Sequence, residues 1–174
     1  MTGVRGRGWS IGMAASLVVL TAGIGASGGR AQGVEVKHLQ PNAGAAIADG
    51  VWAGDTLYLS GQVASPVTPA DAAKGTPAAY GDTKTQALSA LTKIQKLLQA
   101  QGLDMKDVVK MTVFLAGDPD KGGKLDFAGL QASYTQFFGT KEQPNKPARS
   151  AVQVAALVAP WALVEIEVIA VRQK

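Results

Sequence analysis

Few residues in this chain can do chemistry, and the most conspicuous is an arginine. Arg149 stands near the start of a run of small and apolar residues, Pro147-Ala148-Arg149-Ser150-Ala151-Val152-Gln153-Val154. An arginine projecting from such a strand is unusual, and its planar fork of donors matches a carboxylate through two parallel hydrogen bonds. Residue chemistry alone leaves two roles open for it: a structural ion-pair partner, or the anchor of a carboxylate ligand. Glu165 and Glu167 alternate with Val164, Ile166 and Val168. That period of two places both carboxylates on one face of a final strand. Arg149 stays protonated and cannot act as a base, whereas a carboxylate can serve as one where burial raises its pKa toward working pH.

Other chemistries are excluded by what the sequence lacks. There is no cysteine, so disulfides, thiol catalysis and thiolate zinc sites are ruled out. His38 is the only histidine, which rules out a two- or three-histidine metal site within one chain. It is also the only candidate base for a serine nucleophile and stands near the expected mature N-terminus, so a serine hydrolase is not expected. Asp118, Asp120 and Asp126 open like a calcium loop but lack its third ligand and closing glutamate, and they read as a solvated loop. The glycines of 117–123 follow no phosphate-loop pattern and serve turns.

The 174 residues carry 17 Lys and Arg against 13 Asp and Glu. Three of the arginines, Arg5, Arg7 and Arg30, lie in an N-terminal stretch without acids, so the rest of the chain is almost neutral. A clustered basic face for nucleic acid is not expected. The same stretch has the order of an export signal: Arg5 and Arg7, then an uncharged apolar run over 11–26, then Ser27-Gly28-Gly29-Arg30-Ala31. The expectation is a signal peptide over 1–31, cut after Ala31, and a periplasmic or secreted domain over 32–174. The alternative is an uncleaved membrane anchor, although the run of about 16 residues falls short of the roughly 20 that a spanning helix prefers.

The elements that must position Arg149 and the two glutamates can be read from periodicity. A weak strand is expected over 34–39. Two strands flank Ala53-Gly54-Asp55, the second over 56–62. A loop rich in Pro, Ala and Gly follows over 65–81. The 83–101 segment predicts a helix with a Thr83/Gln86 capping box, a stripe of Ala87, Leu91, Ile94 and Leu98, and Gly102 at its end. A strand follows over 108–115. Asp126 caps a second helix running to Phe138, with Phe127, Leu130 and Tyr134 on its apolar stripe. Strands over 149–157 and 164–171, broken by Pro160, read as a closing hairpin. The expected fold is α/β (α+β): one domain, a mixed sheet, and two helices packed on one face.

These segments together resemble the RidA (YjgF) family of reactive intermediate deaminases. The resemblance is carried by Leu59-Ser60-Gly61-Gln62-Val63, by Gln101-Gly102-Leu103 closing the long helix, and by Asp107 to Leu115. It continues through Tyr134-Thr135-Gln136-Phe137-Phe138, Pro147-Ala148-Arg149-Ser150, and Val164-Glu165-Ile166-Glu167-Val168-Ile169-Ala170-Val171. It covers 45–172, and the last two segments in that order are its most specific part. It implies a chorismate-mutase-like fold and a homotrimer with ligand clefts between subunits. The implied activity is hydrolysis of 2-imino acids to 2-keto acids and ammonia, with no metal or organic cofactor.

The family's carboxylate-binding arginine falls on Arg149 and its water-positioning glutamate on Glu165. Ser60 and Gly61 match the turn that lines the cleft. Three positions depart from the pattern. The pocket tyrosine of imine-hydrolysing members falls on Ile47, an asparagine on Gln131, and a frequent cysteine on Ala151. The resemblance therefore implies two alternatives: a 2-imino acid deaminase, or a non-catalytic trimer of the same fold that binds small carboxylates or a partner protein.

Overall fold

The computed structural model describes residues 33–173; the expected signal peptide lies outside them. Its elements, in chain order, are β1 (Val36–Leu39), β2 (Gly50–Ala53), β3 (Thr56–Val63), α1 (Thr83–Ala100), β4 (Val108–Leu115), α2 (Phe127–Tyr134), β5 (Ala148–Gln153) and β6 (Val164–Val171), with short 3-10 turns at Met105–Asp107 and Pro119–Lys121. The six strands form one mixed sheet in the order β1-β2-β3-β6-β4-β5. The two helices pack against each other over one face of it.

The β2–β3 hairpin turns at Gly54-Asp55, where Gly54 takes the left-handed φ of 60° that such tight turns need. Helix α1 buries Ala87, Leu91, Ile94 and Leu98, the stripe its spacing predicts, and Ala90 beside them, while Leu88 is 37% exposed. Gly102, at φ 73°, ends it as expected. Its N-terminus differs from the sequence reading. The cap is Asp82, whose carboxylate accepts the Thr85 N–H at 2.8 Å. Thr83 and Gln86 form no capping box. Both are buried: Thr83 donates to the Asp118 carboxylate, and Gln86 is spent on the backbone of Gly81, Trp161 and Leu163.

The closing hairpin is not formed. β5 pairs parallel with β4, while β6 runs antiparallel between β3 and β4. Burial explains this. β6 buries Val164, Ile166, Val168 and Ala170, a full inward face that suits the sheet centre. β5 carries Arg149, Ser150 and Gln153 and suits an edge. The helix α2 is the crossover that a parallel β4–β5 pair requires. That helix ends at Tyr134, four residues before the expected Phe138, although the chain continues as turns that still bury Phe138. Phe127, expected in its apolar stripe, is 48% exposed.

The sheet face away from the helices is uncovered. It presents Tyr58, Ile169 and Val171 beside Phe114, Val152, Lys110 and Glu167. Tyr58 is 48% and Val152 46% exposed.

Candidate functional site

Arg149 pairs in register with Met111, which is fully buried beneath the helices, so its side chain leaves β5 on the helix-covered face. There it meets α2. Gln131 and Tyr134 are three residues apart and share one face of that helix. The guanidinium lies over the Tyr134 ring, 4.1 Å from its centroid, and the Phe127 ring is 5.7 Å away. Tyr134 in turn stacks on Phe138 at 4.9 Å. Gln131 Oε1 accepts a hydrogen bond from Nη2 at 3.0 Å. Nη1 is buried and has no hydrogen-bond partner. Such an orphaned charged donor costs about 1–3 kcal/mol or more until an acceptor reaches it. Burial pushes the Tyr134 phenol above its ordinary pKa, against a smaller opposite pull from the Arg149 cation.

A cleft of about 460 Å³ opens at this stack. Arg149, Gln131, Tyr134, Phe138 and Lys146 line it, and no acidic residue does. Ala151, two residues beyond Arg149, pairs with the buried Val113 and packs against the core rather than lining the cleft. A larger cleft of about 620 Å³ lies by the C-terminal end of α1. Its Asp104 and Asp107 are engaged in a reciprocal cap of a 3-10 turn, and it contains none of the expected site residues.

Glu165 belongs to a second cluster. It pairs with Val63 on β3 and Phe114 on β4, and it leaves β6 on the uncovered face. The β3–β6 register shifts between Leu59 and Gln62, a bulge at Ser60-Gly61. The Glu165 carboxylate lies across Gly61, where a Cβ would overlap Oε1. Ser60 Oγ donates to the Ala48 carbonyl at 2.7 Å and its N–H to the Asp49 carbonyl at 2.9 Å. Those two bonds fix the end of the loop that carries Ile47, which is 69% exposed. Ser60, Gly61 and Glu165 are thus brought together, with Ile47 on the adjoining loop. Arg149, Gln131 and Tyr134 form the other cluster.

The two clusters do not meet within one chain. Arg149 is aligned with Met111 and Glu165 with Phe114, on opposite faces of the sheet and on opposite sides of β4. Three residues along that strand and two strand spacings across it place their backbones about 14 Å apart. The sequence reading did not assign Tyr134 a role at the guanidinium. Its spacing from Gln131 was the available signal.

Comparison with known proteins agrees with this architecture. The family described as Endoribonuclease L-PSP matches residues 37–172. A RutC family protein of Haemophilus influenzae is 39% identical over 120 residues, 69% of this chain and 82% of the relative. A 2-iminobutanoate/2-iminopropanoate deaminase of Salmonella typhimurium is 38% identical over 135 residues, 76% of this chain and 94% of the relative. Among solved structures, Escherichia coli TdcF with bound serine superposes with a TM-score of 0.58 at 34% identity, covering 82% of this chain and 99% of that one. The match over most of the chain, together with these relatives, shows that the chain belongs to the RidA (YjgF) family.

Proposed function

We propose that the protein is a hydrolytic deaminase of 2-imino acids, working in clefts between the subunits of a homotrimer. The observation that carries this reading is the state of Arg149. One Nη is held by Gln131, the guanidinium is fixed on Tyr134, and the other Nη is buried without a partner beside a cleft free of acids. A carboxylate is the acceptor that such a fork is built to receive. The separation of Arg149 from Glu165 supports an interfacial site, in which one subunit supplies the arginine cluster and its neighbour the Ser60-Gly61-Glu165 cluster. The uncovered, half-apolar sheet face supports the assembly.

In this mechanism Arg149 grips the substrate carboxylate and presents the imine carbon to a water held by Glu165. The water oxygen bonds to that carbon while the C=N π pair moves to nitrogen. The water's proton passes to the Glu165 carboxylate and then to the amine nitrogen. The hydroxyl proton then passes by way of Glu165 to the same nitrogen as the carbon–oxygen double bond forms and the carbon–nitrogen bond breaks, and a 2-keto acid and ammonia leave. Orientation carries most of the catalysis, because the imine carbon is already electrophilic.

One observation favours the non-catalytic alternative: Ile47 is an exposed apolar residue with no hydroxyl to offer a polar substrate. One assay separates the two readings. 2-Iminopropanoate is generated in situ, the purified protein without residues 1–31 is added, and loss of imine absorbance is followed. Acceleration supports the deaminase. No acceleration, with retained Arg149-dependent binding of 2-oxobutanoate, overturns it in favour of the binding module.

The proposal includes export with cleavage after Ala31 and trimer formation by the remaining domain. N-terminal sequencing of the exported protein should begin at Gln32, and sedimentation equilibrium should give three times the monomer mass. Intact Met1 protein in the membrane fraction would support the anchor instead.

A further inference from the structure

The arginine cleft contains a second cation that the proposed reaction does not use. Lys146 lies three residues before Arg149, separated from it by Pro147-Ala148, and lines the same cleft. Its stem crosses Gly139: a Cβ built there would come within 2.5 Å of Lys146 Cε and 3.5 Å of Nζ. Gly139 has a φ of 73°, so the turn after α2 already favours glycine, and the missing side chain leaves the path that the lysine occupies. Among the described residues, Lys146 has no ion pair and no hydrogen bond. Within one chain the cleft therefore carries two positive charges against no carboxylate.

We infer that this cleft selects substrates with two anionic groups, 2-imino and 2-oxo dicarboxylic acids, with Arg149 taking the carboxylate beside the imine and Lys146 the terminal one. This inference rests on Arg149 being the carboxylate anchor proposed above. Two considerations carry it. A monocarboxylate would engage Arg149 and leave Lys146 without an anionic partner, because the Glu165 carboxylate that the proposed reaction brings in stands at the imine carbon and not at the distal end. The two side chains also differ in the manner suited to the two roles. The Arg149 fork is immobilised on Tyr134 and can fix the orientation of the reacting end. Lys146 is a single charge on an exposed, flexible stem, which tolerates variation in where a distal carboxylate falls. Lys146 is thus a specificity-determining residue and takes no part in bond making.

The test measures Kd for two stable keto acids, 2-oxoglutarate and 2-oxobutanoate, by calorimetry on the assembled protein without residues 1–31. The wild type should favour 2-oxoglutarate by about threefold to tenfold at low salt, and the preference should shrink as salt rises. Lys146→Met should bring the ratio close to one, Lys146→Arg should keep it, and Lys146→Glu should invert it. A circular dichroism melt on each variant checks that the fold is intact. A wild-type ratio at or below one, or a ratio that Lys146→Met leaves in place, overturns the inference. In that event, loss of 2-oxobutanoate binding in Arg149→Lys would leave the anchor reading standing. Failure of the wild type to bind either keto acid overturns both.

Discussion

The Glu165 carboxylate lies directly against Gly61, closer than any residue with a side chain would permit. The contact exists because β3 bulges at Ser60-Gly61, shifting its register against β6 just where Glu165 faces it. A glycine in a strand interior normally weakens the strand, and here it marks a close approach. Gly61 thereby sets where the carboxylate can stand, although it has no chemistry of its own.

Gly61→Ala therefore tests the Glu165 geometry without touching its charge. The added methyl forces the carboxylate off its seat by about an ångström. A misplacement of that size costs up to about 100-fold in turnover when catalysis depends on positioning. Imine hydrolysis should fall at least about tenfold, while binding of 2-oxobutanoate through Arg149 should hold. Equal losses of kcat and binding would show that the bulge supports the whole interface instead of Glu165 alone.

Gln86 should be the most sensitive polar residue for stability. Its buried amide donates to the Gly81 and Trp161 carbonyls, both at 3.1 Å, and accepts the Leu163 N–H at 2.8 Å. It thus joins the loop before α1 to the loop before β6, which are also clasped by the stacked Tyr80 and Trp161 rings, 3.5 Å apart. Gln86→Leu keeps the volume and abandons three backbone groups. The expected loss is about 2–4 kcal/mol, visible as a lower Tm and a lower urea midpoint with unchanged m-value. A loss under about 0.5 kcal/mol would mean that water replaces the amide.

The sequence displayed some of this plainly and concealed the rest. Alternation in 164–171 placed Glu165 and Glu167 on one face, and the stripe of α1 was legible from Ala87 to Leu98, because both are properties of neighbouring residues. Strand pairing is not local. Nothing near Pro160 says that β6 must leave β5 and enter the sheet centre; that follows from the more apolar inward face of β6 and from the crossover through α2. Gln86 looked like part of a cap because two of its three partners, Trp161 and Leu163, lie more than seventy residues away. The Arg149 strand was legible, but its platform on Tyr134 depends on how α2 packs over β5.

Asp82 gives a pH-dependent check on the corrected helix cap. Its hydrogen bonds to Thr85 lower its carboxyl pKa below the ordinary value of 3.8. A depressed folded-state pKa means a contribution fully present above that ordinary value and lost as pH falls through the lower folded value. Asp82→Ala should cost about 1 kcal/mol at neutral pH, and the difference from wild type should narrow below pH of about 4. Thr83→Ser, which retains the hydroxyl to Asp118, should be nearly neutral. If Thr83 were the cap, Asp82→Ala would have no such effect.

The decisive substitution remains Arg149→Lys. Lysine keeps the charge but cannot hold Gln131 with one arm and offer a parallel pair of donors with the others, and it loses the planar stack on Tyr134. Loss of a charge-assisted pair in a partly buried cleft costs about 2–5 kcal/mol, so imine hydrolysis should fall roughly 30-fold or more. Arg149→Ala should be at least as damaging, and it should also lower Tm modestly because the Tyr134 ring loses its cover. Glu165→Gln should slow turnover with little change in 2-oxobutanoate binding, since it removes the proton acceptor and keeps the shape. A purely structural Arg149 gives a different pattern: the folded fraction of Arg149→Lys and Arg149→Ala would hydrolyse imine at the wild-type rate per active molecule, and only Tm would move. Near wild-type activity in Arg149→Lys would therefore remove the bidentate anchor, and with it the mechanism that orients water from Glu165 toward a carboxylate-pinned imine carbon.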